Sequence, residues 1–275
     1  VIDPLRIEAP AKLNLSLRVT GRRDDGYHEL DSHFVLLELA DRLLLMPGCS
    51  GFRVEGRDAD VLPLDGDNLA LRGLLAALDG DPELACLTLD KAIPAAAGLG
   101  GGSSDAAAAW RLGRAARGLP DRAAPDELAT LARIGADVPF FAAAVPAARV
   151  TGIGERVEAL PAIRHEVVLV HPPFGLATAD VFAALRRDEW GSDENDLLAP
   201  ARRLRPELDG LLALVRAAGG QPRLTGSGPT IFTIEDDADR ADALAARLSG
   251  QGLDVTRTAT RPAAAALESI TEEEV

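Results

Sequence analysis

Between Pro94 and Asp105 the chain reads PAAAGLGGGSSD, and no other segment limits the fold as tightly. Glycines at 98, 100, 101 and 102 remove the Cβ atoms that would hold a bulky anion away from the backbone. The stretch that follows, AAAAWRLGRAARG, predicts a helix with Ser103 or Ser104 as its cap, Asp105 in its first turn, and Gly118 with Pro120 as its stop. A glycine-rich loop entering a helix offers unpaired N–H groups and the positive end of the helix dipole, so the segment reads as a phosphate cradle. It is not one of the commonest kinds. Ser103 follows the last glycine where a Walker A loop needs lysine, and Pro94 with three alanines separates the loop from the preceding strand where a dinucleotide fingerprint needs a tight turn. The HRD and DFG signatures of protein kinases are absent from the sequence.

The rest of the pattern alternates irregularly between strands and helices. Residues 12–19 alternate strictly, with Leu13, Leu15, Leu17 and Val19 on one face and Lys12, Asn14, Ser16 and Arg18 on the other, which predicts a half-buried strand. Lys12 and Asn14 then stand side by side, about 7 Å apart. Further strands are predicted over 34–45 and 84–93, with a helix over 68–78 between them. A helix over 125–134 leads into GADVPF, where Asp137 is either a cap for a helix entering at Val138-Pro139 or a chemical group. A strand or hairpin is predicted over 149–160. After Pro161 the pattern resets, with strands at 166–171, 230–234 and from 253, and helices at 178–187, 206–218 and 238–248. Mixed α+β layers follow, in a domain over 1–160, a second over 161–265 and a frayed acidic tail over 266–275.

Charge narrows the partners. With 43 acidic against 29 basic residues the net charge is −14, the wrong sign for gripping nucleic acid or an anionic membrane, so neither is expected. Lysine occurs only at 12 and 91, all other basic residues being arginine, so each lysine is a candidate for chemistry that a guanidinium cannot do. Cys49 and Cys86 suggest neither a disulfide framework nor a zinc site, and a reducing compartment is expected. His28 and His33 are five apart and miss the spacing of a zinc-binding helix, while His165 and His171 have no partner spacing. The opening VIDPLRIEAPAKLNL lacks a secretory pattern, and no apolar run approaches 18 residues, so a cytoplasmic protein is expected.

Three segments in order, Ala9-Pro10-Ala11-Lys12-Leu13-Asn14-Leu15, then Pro94 through Asp105, then Leu224-Thr225-Gly226-Ser227-Gly228, resemble the GHMP small-molecule kinase superfamily. The longer loop GLGGGSSD, together with DGYHEL at 25–30, GADVPF at 135–140 and Asn195-Asp196-Leu197, looks like the branch whose alcohol substrate carries a cytidyl diphosphate, in non-mevalonate isoprenoid synthesis. The resemblance runs from about residue 6 to about 262, and departs from its relatives at Ala95-Ala96-Ala97, where they often carry methionine and glycines. It implies an N-terminal α+β domain related to a ribosomal-protein fold, a C-terminal ferredoxin-like domain, and an active site between them. It also implies an enzyme that moves the γ-phosphoryl group of ATP to the substrate's 2-hydroxyl, with Mg²⁺ beside ATP and its ligands left open. ATP would lie on Pro94, Ala95, Ala96, Ala97, Gly98, Leu99, Gly100, Gly101, Gly102, Ser103 and Ser104. By the same resemblance Lys12 and Asp137 are the catalytic pair, Tyr27 and His28 meet the cytidine, and Asn14, Thr178 and Phe182 lie nearby. The oligomeric state is left open.

Overall fold

The computed structural model describes residues 3–80 and 85–271. Two long antiparallel strands, β1 (Leu5–Arg22) and β2 (His28–Pro47), pair from Leu5↔Leu45 to Arg22↔His28. Register shifts near Lys12, Ser16 and Gly21 interrupt the ladder. Such bulges bend a strand and re-aim its side chains. Both strands outrun the expected 12–19 and 34–45 because their ends find partners that no local pattern reveals. β2 pairs β4 (Ala85–Lys91) through residues 42–47 and β5 (Ala147–Gly152) through residues 30–35. β3 (Gly51–Gly56), which the pattern did not announce, lies parallel to β4, and β6 (Arg156–Ala159) closes a hairpin with β5. Leu84, the expected start of the strand over 84–93, lies outside the described residues.

Two expectations are corrected here. The turn between β2 and β3 folds back on β4, which sets Cys49 beside Cys86 with Cα atoms 5.3 Å apart, and the two form a disulfide across a separation of 37 residues. Spacing alone hides this, because the parallel pairing of β3 with β4 creates the proximity. The expected frayed tail over 266–275 instead contributes strand β11 (Leu267–Ser269), paired with Leu5–Ile7 at the edge of the first sheet; residues 272–275 lie outside the described residues. The first sheet thus has seven strands in the order β11-β1-β2-β4-β3, with β5 and β6 branching from β2.

Helices α1 (Leu69–Ala77), α2 (Gly101–Ala116), α3 (Pro125–Leu131) and α4 (Val138–Ala142) belong to this part of the chain. α1 starts at Asn68, whose side chain accepts from the N–H of Ala70. α2 packs so closely on α1 that a Cβ on Gly73 would lie 2.0 Å from the carbonyl oxygen of Ala106. The second sheet has four antiparallel strands in the order β10-β7-β9-β8, namely Asp254–Ala259, Glu166–His171, Ile231–Glu235 and Arg223–Leu224. Helices α5 (Thr178–Ala184), α6 (Leu198–Leu204), α7 (Glu207–Ala217) and α8 (Ala238–Ser249) complete an α+β arrangement.

The sheets share a core. Ala11, Leu13, Val35 and Leu37 of the first pack with Val167, Leu169 and Phe232 of the second, while Leu17 and Val19 reach the helices of the second part. Each fully buried Leu or Phe contributes about 1.5–3 kcal/mol, so this contact fixes β1 against both halves of the molecule.

Candidate active site

β1 carries Lys12 and Asn14, and the shared core leaves neither on a solvated face: both are 3% exposed. This differs from the half-buried strand expected, because the glycine loop and the turn after β8 cover the polar face. The N–H of Lys12 donates to the carbonyl of Leu99 at 2.9 Å, and the N–H of Asn14 donates to Thr225 Oγ1 at 3.1 Å. Lys12 Nζ donates to Asn14 Oδ1 at 2.6 Å and to the Gly98 carbonyl at 3.0 Å, and stands 3.5 Å from Asp137 Oδ2. The Phe34 ring lies beneath it, 5.2 Å from nitrogen to centroid. Asn14 Nδ2 donates onward to Ser32 Oγ at 2.9 Å, so the amide's orientation is set from both ends.

The glycine loop closes over this lysine because two of its neighbours lack side chains. Gly100 has φ 71°, and a Cβ there would meet Lys12 Cγ at 3.0 Å and Phe141 at 3.1 Å. At Gly226, with φ 56°, a Cβ would press on Lys12 Nζ, Asn14 Oδ1 and the Gly98 carbonyl, each at 3.2 Å. Gly100 also takes the cap position of α2, which begins at Gly101, so neither Ser103 nor Ser104 caps the helix as expected. The left-handed backbone supplies the entry that a serine side chain would otherwise assist.

A cavity of about 540 Å³ opens above the loop. Its wall includes Lys12, Asn14, Pro94, Ala95, Ala96, Ala97, Gly98, Leu99, Gly100, Gly101, Gly102, Ser103, Asp137, Thr178 and Phe182, which brings most of the predicted site residues together. Ser104 is not among them: it is buried, and lines a small crevice with Ala107, Ala108 and Phe141. Tyr27 and His28 are also outside the wall. Tyr27 is 63% exposed on the β1–β2 turn, while His28 stacks on Phe182 at 5.3 Å and meets Trp190 edge-on at 5.8 Å. Burial and the charge of Arg22 hold the His28 imidazole below its usual pKa.

Asp137 does not use its side chain as a cap. Its backbone is the cap residue of α4, yet its side chain makes no cap hydrogen bond and faces Lys12 instead. On the far side, Thr178 Oγ1 and Ser227 Oγ share a hydrogen bond at 2.9 Å. Asn195, read only as part of a motif, donates to the carbonyls of Leu224 and Gly226 at 2.8 and 2.9 Å and so shapes the turn that touches Lys12. Leu62, Pro63, Asp67 and Asn68 also line the cavity and carried no signal beyond the helix cap at Asn68.

Lys91, the second lysine, sits behind the loop between Asp41 and Asp105. Burial works against its charge, but the two carboxyls outweigh that and raise its pKa above the usual range. Among the described residues no three His, Cys, Asp or Glu side chains could together hold a metal ion, and the two acidic groups behind the loop are already taken by Lys91. No described helix is long and apolar enough to cross a membrane.

Comparison with known proteins agrees with this geometry. The patterns of the GHMP kinases N terminal domain and the GHMP kinases C terminal region match residues 68–144 and 179–253. The chain is 40% identical over 267 residues to the 4-diphosphocytidyl-2-C-methyl-D-erythritol kinase of Paracoccus denitrificans (strain Pd 1222), covering 89% of this chain and 92% of that one. It is 41% identical over 281 residues to the enzyme of the same name from Granulibacter bethesdensis, covering 91% and 92%. A crystal structure of 4-(cytidine 5'-diphospho)-2C-methyl-D-erythritol kinase superposes with a TM-score of 0.77 at 33% identity, over 93% of this chain and 98% of that one. Homoserine kinase from Cytophaga hutchinsonii, at 16% identity, shares the fold with a TM-score of 0.66 over 97% and 98%. The chain therefore belongs to the GHMP kinases and, within them, to the family of the 4-diphosphocytidyl-2-C-methyl-D-erythritol kinases.

Proposed function

We propose that this protein transfers the γ-phosphoryl group of ATP to the 2-hydroxyl of 4-diphosphocytidyl-2-C-methyl-D-erythritol, giving the 2-phosphate and ADP. The observation that carries the reading is the Lys12–Asp137 pair, 3.5 Å apart on the wall of the cavity that the glycine loop floors. The relatives at 40% and 41% identity supply the substrate.

Each element has a physical task. The first N–H groups of α2, at Gly101, Gly102 and Ser103, have no partner within the helix and suit phosphate oxygens. Asp137 accepts the hydroxyl proton as the oxygen attacks phosphorus, and Lys12 orients that carboxylate while offsetting charge on the transferring group. In a loose transition state the proton leaves late, so the fixed position of Asp137 contributes as much as its basicity. His28, Phe182 and Trp190 form an aromatic group for the cytosine end, with Tyr27 on the adjoining turn and Asn14 and Thr178 on the wall between. Mg²⁺ accompanies ATP and supplies charge neutralisation for the phosphates. Among the described residues no cluster of three His, Cys, Asp or Glu side chains forms a ligand set for it, and Mg²⁺ commonly takes most of its ligands from phosphates and water.

The test is an ADP-release panel with the cytidyl substrate, galactose, homoserine and mevalonate. Release with the cytidyl compound alone is expected; release with one of the others instead overturns the substrate assignment.

A further inference from the structure

Under the phosphate loop, where Lys91 and Asp105 help to line the floor of the cavity, two carboxyl groups and one ammonium are buried together in a way that the transfer chemistry does not use. Lys91 Nζ, at the end of β4, lies 2.5 Å from Asp41 Oδ2 and 2.7 Å from Asp105 Oδ2, and the three residues are 6% exposed or less. A Cβ on Gly101, the first residue of α2, would come within 3.5 Å of that same nitrogen. The charge of the trio therefore acts directly on the helix start.

The two acids are not equivalent. Asp41 takes Lys91 on one oxygen, and the N–H groups of Ala92 and Ile93 on the other at 2.6 and 2.8 Å. Asp105 takes Lys91 alone, and its Oδ1 is buried without any hydrogen-bond partner. A carboxylate oxygen deprived of both water and a donor is strongly disfavoured. One ammonium can balance only one carboxylate, and Asp41 has the better set of donors. A proton on Asp105 removes the surplus charge.

We propose that Asp105 is a neutral carboxylic acid in the folded protein, and that this neutrality keeps negative charge away from the helix start and glycine loop on which ATP rests. Burial is the chief reason its carboxyl titrates well above the usual range; Lys91 opposes the shift and Asp41 adds to it. The neighbours on other sides do not change the balance. The buried residues of α1 (Ala70, Gly73, Leu74 and Ala77) and of α4 (Val138, Pro139, Phe140, Phe141 and Ala142), the helices that pack on α2, do not titrate. From β1, the ammonium of Lys12 is shared among Asn14, Gly98 and Asp137. Asp105 is thus a positioning residue that acts through the electrostatics of the loop. An ionised acid at this place would favour the bare helix terminus and disfavour an anionic ligand there.

The inference rests on the assignment of ATP to this loop, and its test has a readout that needs no turnover. Infrared spectra of the whole chain at neutral pH should show the carbonyl stretch of a protonated carboxyl, absent from Asp105→Asn and lost from the unmodified protein at alkaline pH. A spectrum without that band at neutral pH overturns the proposal. In kinetics, Asp105→Asn mimics the neutral acid and should keep the KM for ATP within about threefold at neutral pH. The unmodified protein's KM should climb as pH rises while that of Asp105→Asn stays flat. A tenfold or greater rise in KM for Asp105→Asn at neutral pH, in a protein with the band before substitution, overturns the electrostatic role. Failure of the ATP assignment would show separately, as no ADP released by the unmodified protein with the band still present.

Discussion

The carboxylate of Asp137 faces the ammonium of Lys12 at 3.5 Å and leaves uncapped the helix that its own backbone starts. A cap forgone costs roughly 0.5–2 kcal/mol of local stability, so the side chain has been directed elsewhere. Asp137→Asn should lower kcat by roughly 10²- to 10⁴-fold, the usual loss for a general base, with little change in the KM for ATP. Steady-state kinetics on a folded variant decide this. Turnover within a few-fold of the unmodified protein would remove Asp137 from the chemistry.

Gly100→Val should damage catalysis as well as nucleotide binding. A β-branched residue resists φ 71°, and its Cβ would strike Lys12 and Phe141 at 3.0–3.1 Å. Both kcat and the KM for ATP should worsen, because the loop and the lysine move together. An unchanged kcat with only KM raised would show that Lys12 is positioned independently of the loop.

His28→Ala tests which group reads the base. Cytosine and uracil present opposite donor-acceptor patterns, so loss of a half-buried reader should cost the cytidyl substrate about 1–3 kcal/mol and narrow its advantage over the uridyl analogue. Since burial and Arg22 keep the imidazole's pKa low, it is neutral at neutral pH, and the KM for the cytidyl substrate should stay flat there and above. The ratio of kcat/KM for the two substrates is the measurement. A ratio that survives intact assigns discrimination to Phe182, Trp190 or the backbone.

Acid should destabilise the fold through two other histidines. Burial depresses the pKa of both His171 and His33; near His171, Asp254 opposes the shift and Arg57 adds to it, and His165 adds to it at His33. A group whose folded pKa lies below its unfolded value stabilises the protein above about pH 6.5, and that contribution is lost as pH falls through the folded value. Thermal unfolding should therefore show Tm dropping below about pH 6, and His171→Gln should reduce the slope. A slope unchanged by His171→Gln would assign the acid limb to carboxylates.

How much of this was legible in the sequence depended on whether the cause was local. The helix at Asn68, the strand at 166–171 and the helix over 238–248 were visible because a cap or a periodic apolar face lies within the segment itself. Strand β3 and the disulfide it brings about were not, since a six-residue strand with Gly51 and Gly56 at its ends gains its identity only from β4. The site followed the same rule. Lys12, the glycine loop and Asp137 belong to recognisable motifs, whereas Leu62, Pro63 and Trp190 meet the site through tertiary packing. Ser104 shared the motif but not the cavity, because the start of α2 at Gly101 turns it inward.

Strand β11 gives the chain a closed circuit. Arg6 and Glu268, 262 residues apart, meet at 2.6 Å, and the segment that returns to β1 does so only after the whole second sheet has been built. The four-stranded unit is thus an insertion within the seven-stranded one, and during synthesis this edge of β1 waits for β11 until the second sheet has emerged. Contacts of such long sequence separation form late and slow the completion of folding. A ribosome-bound chain cut short before Leu267 would leave that edge of β1, the strand that carries Lys12, without its partner, the kind of edge that recruits a neighbouring chain.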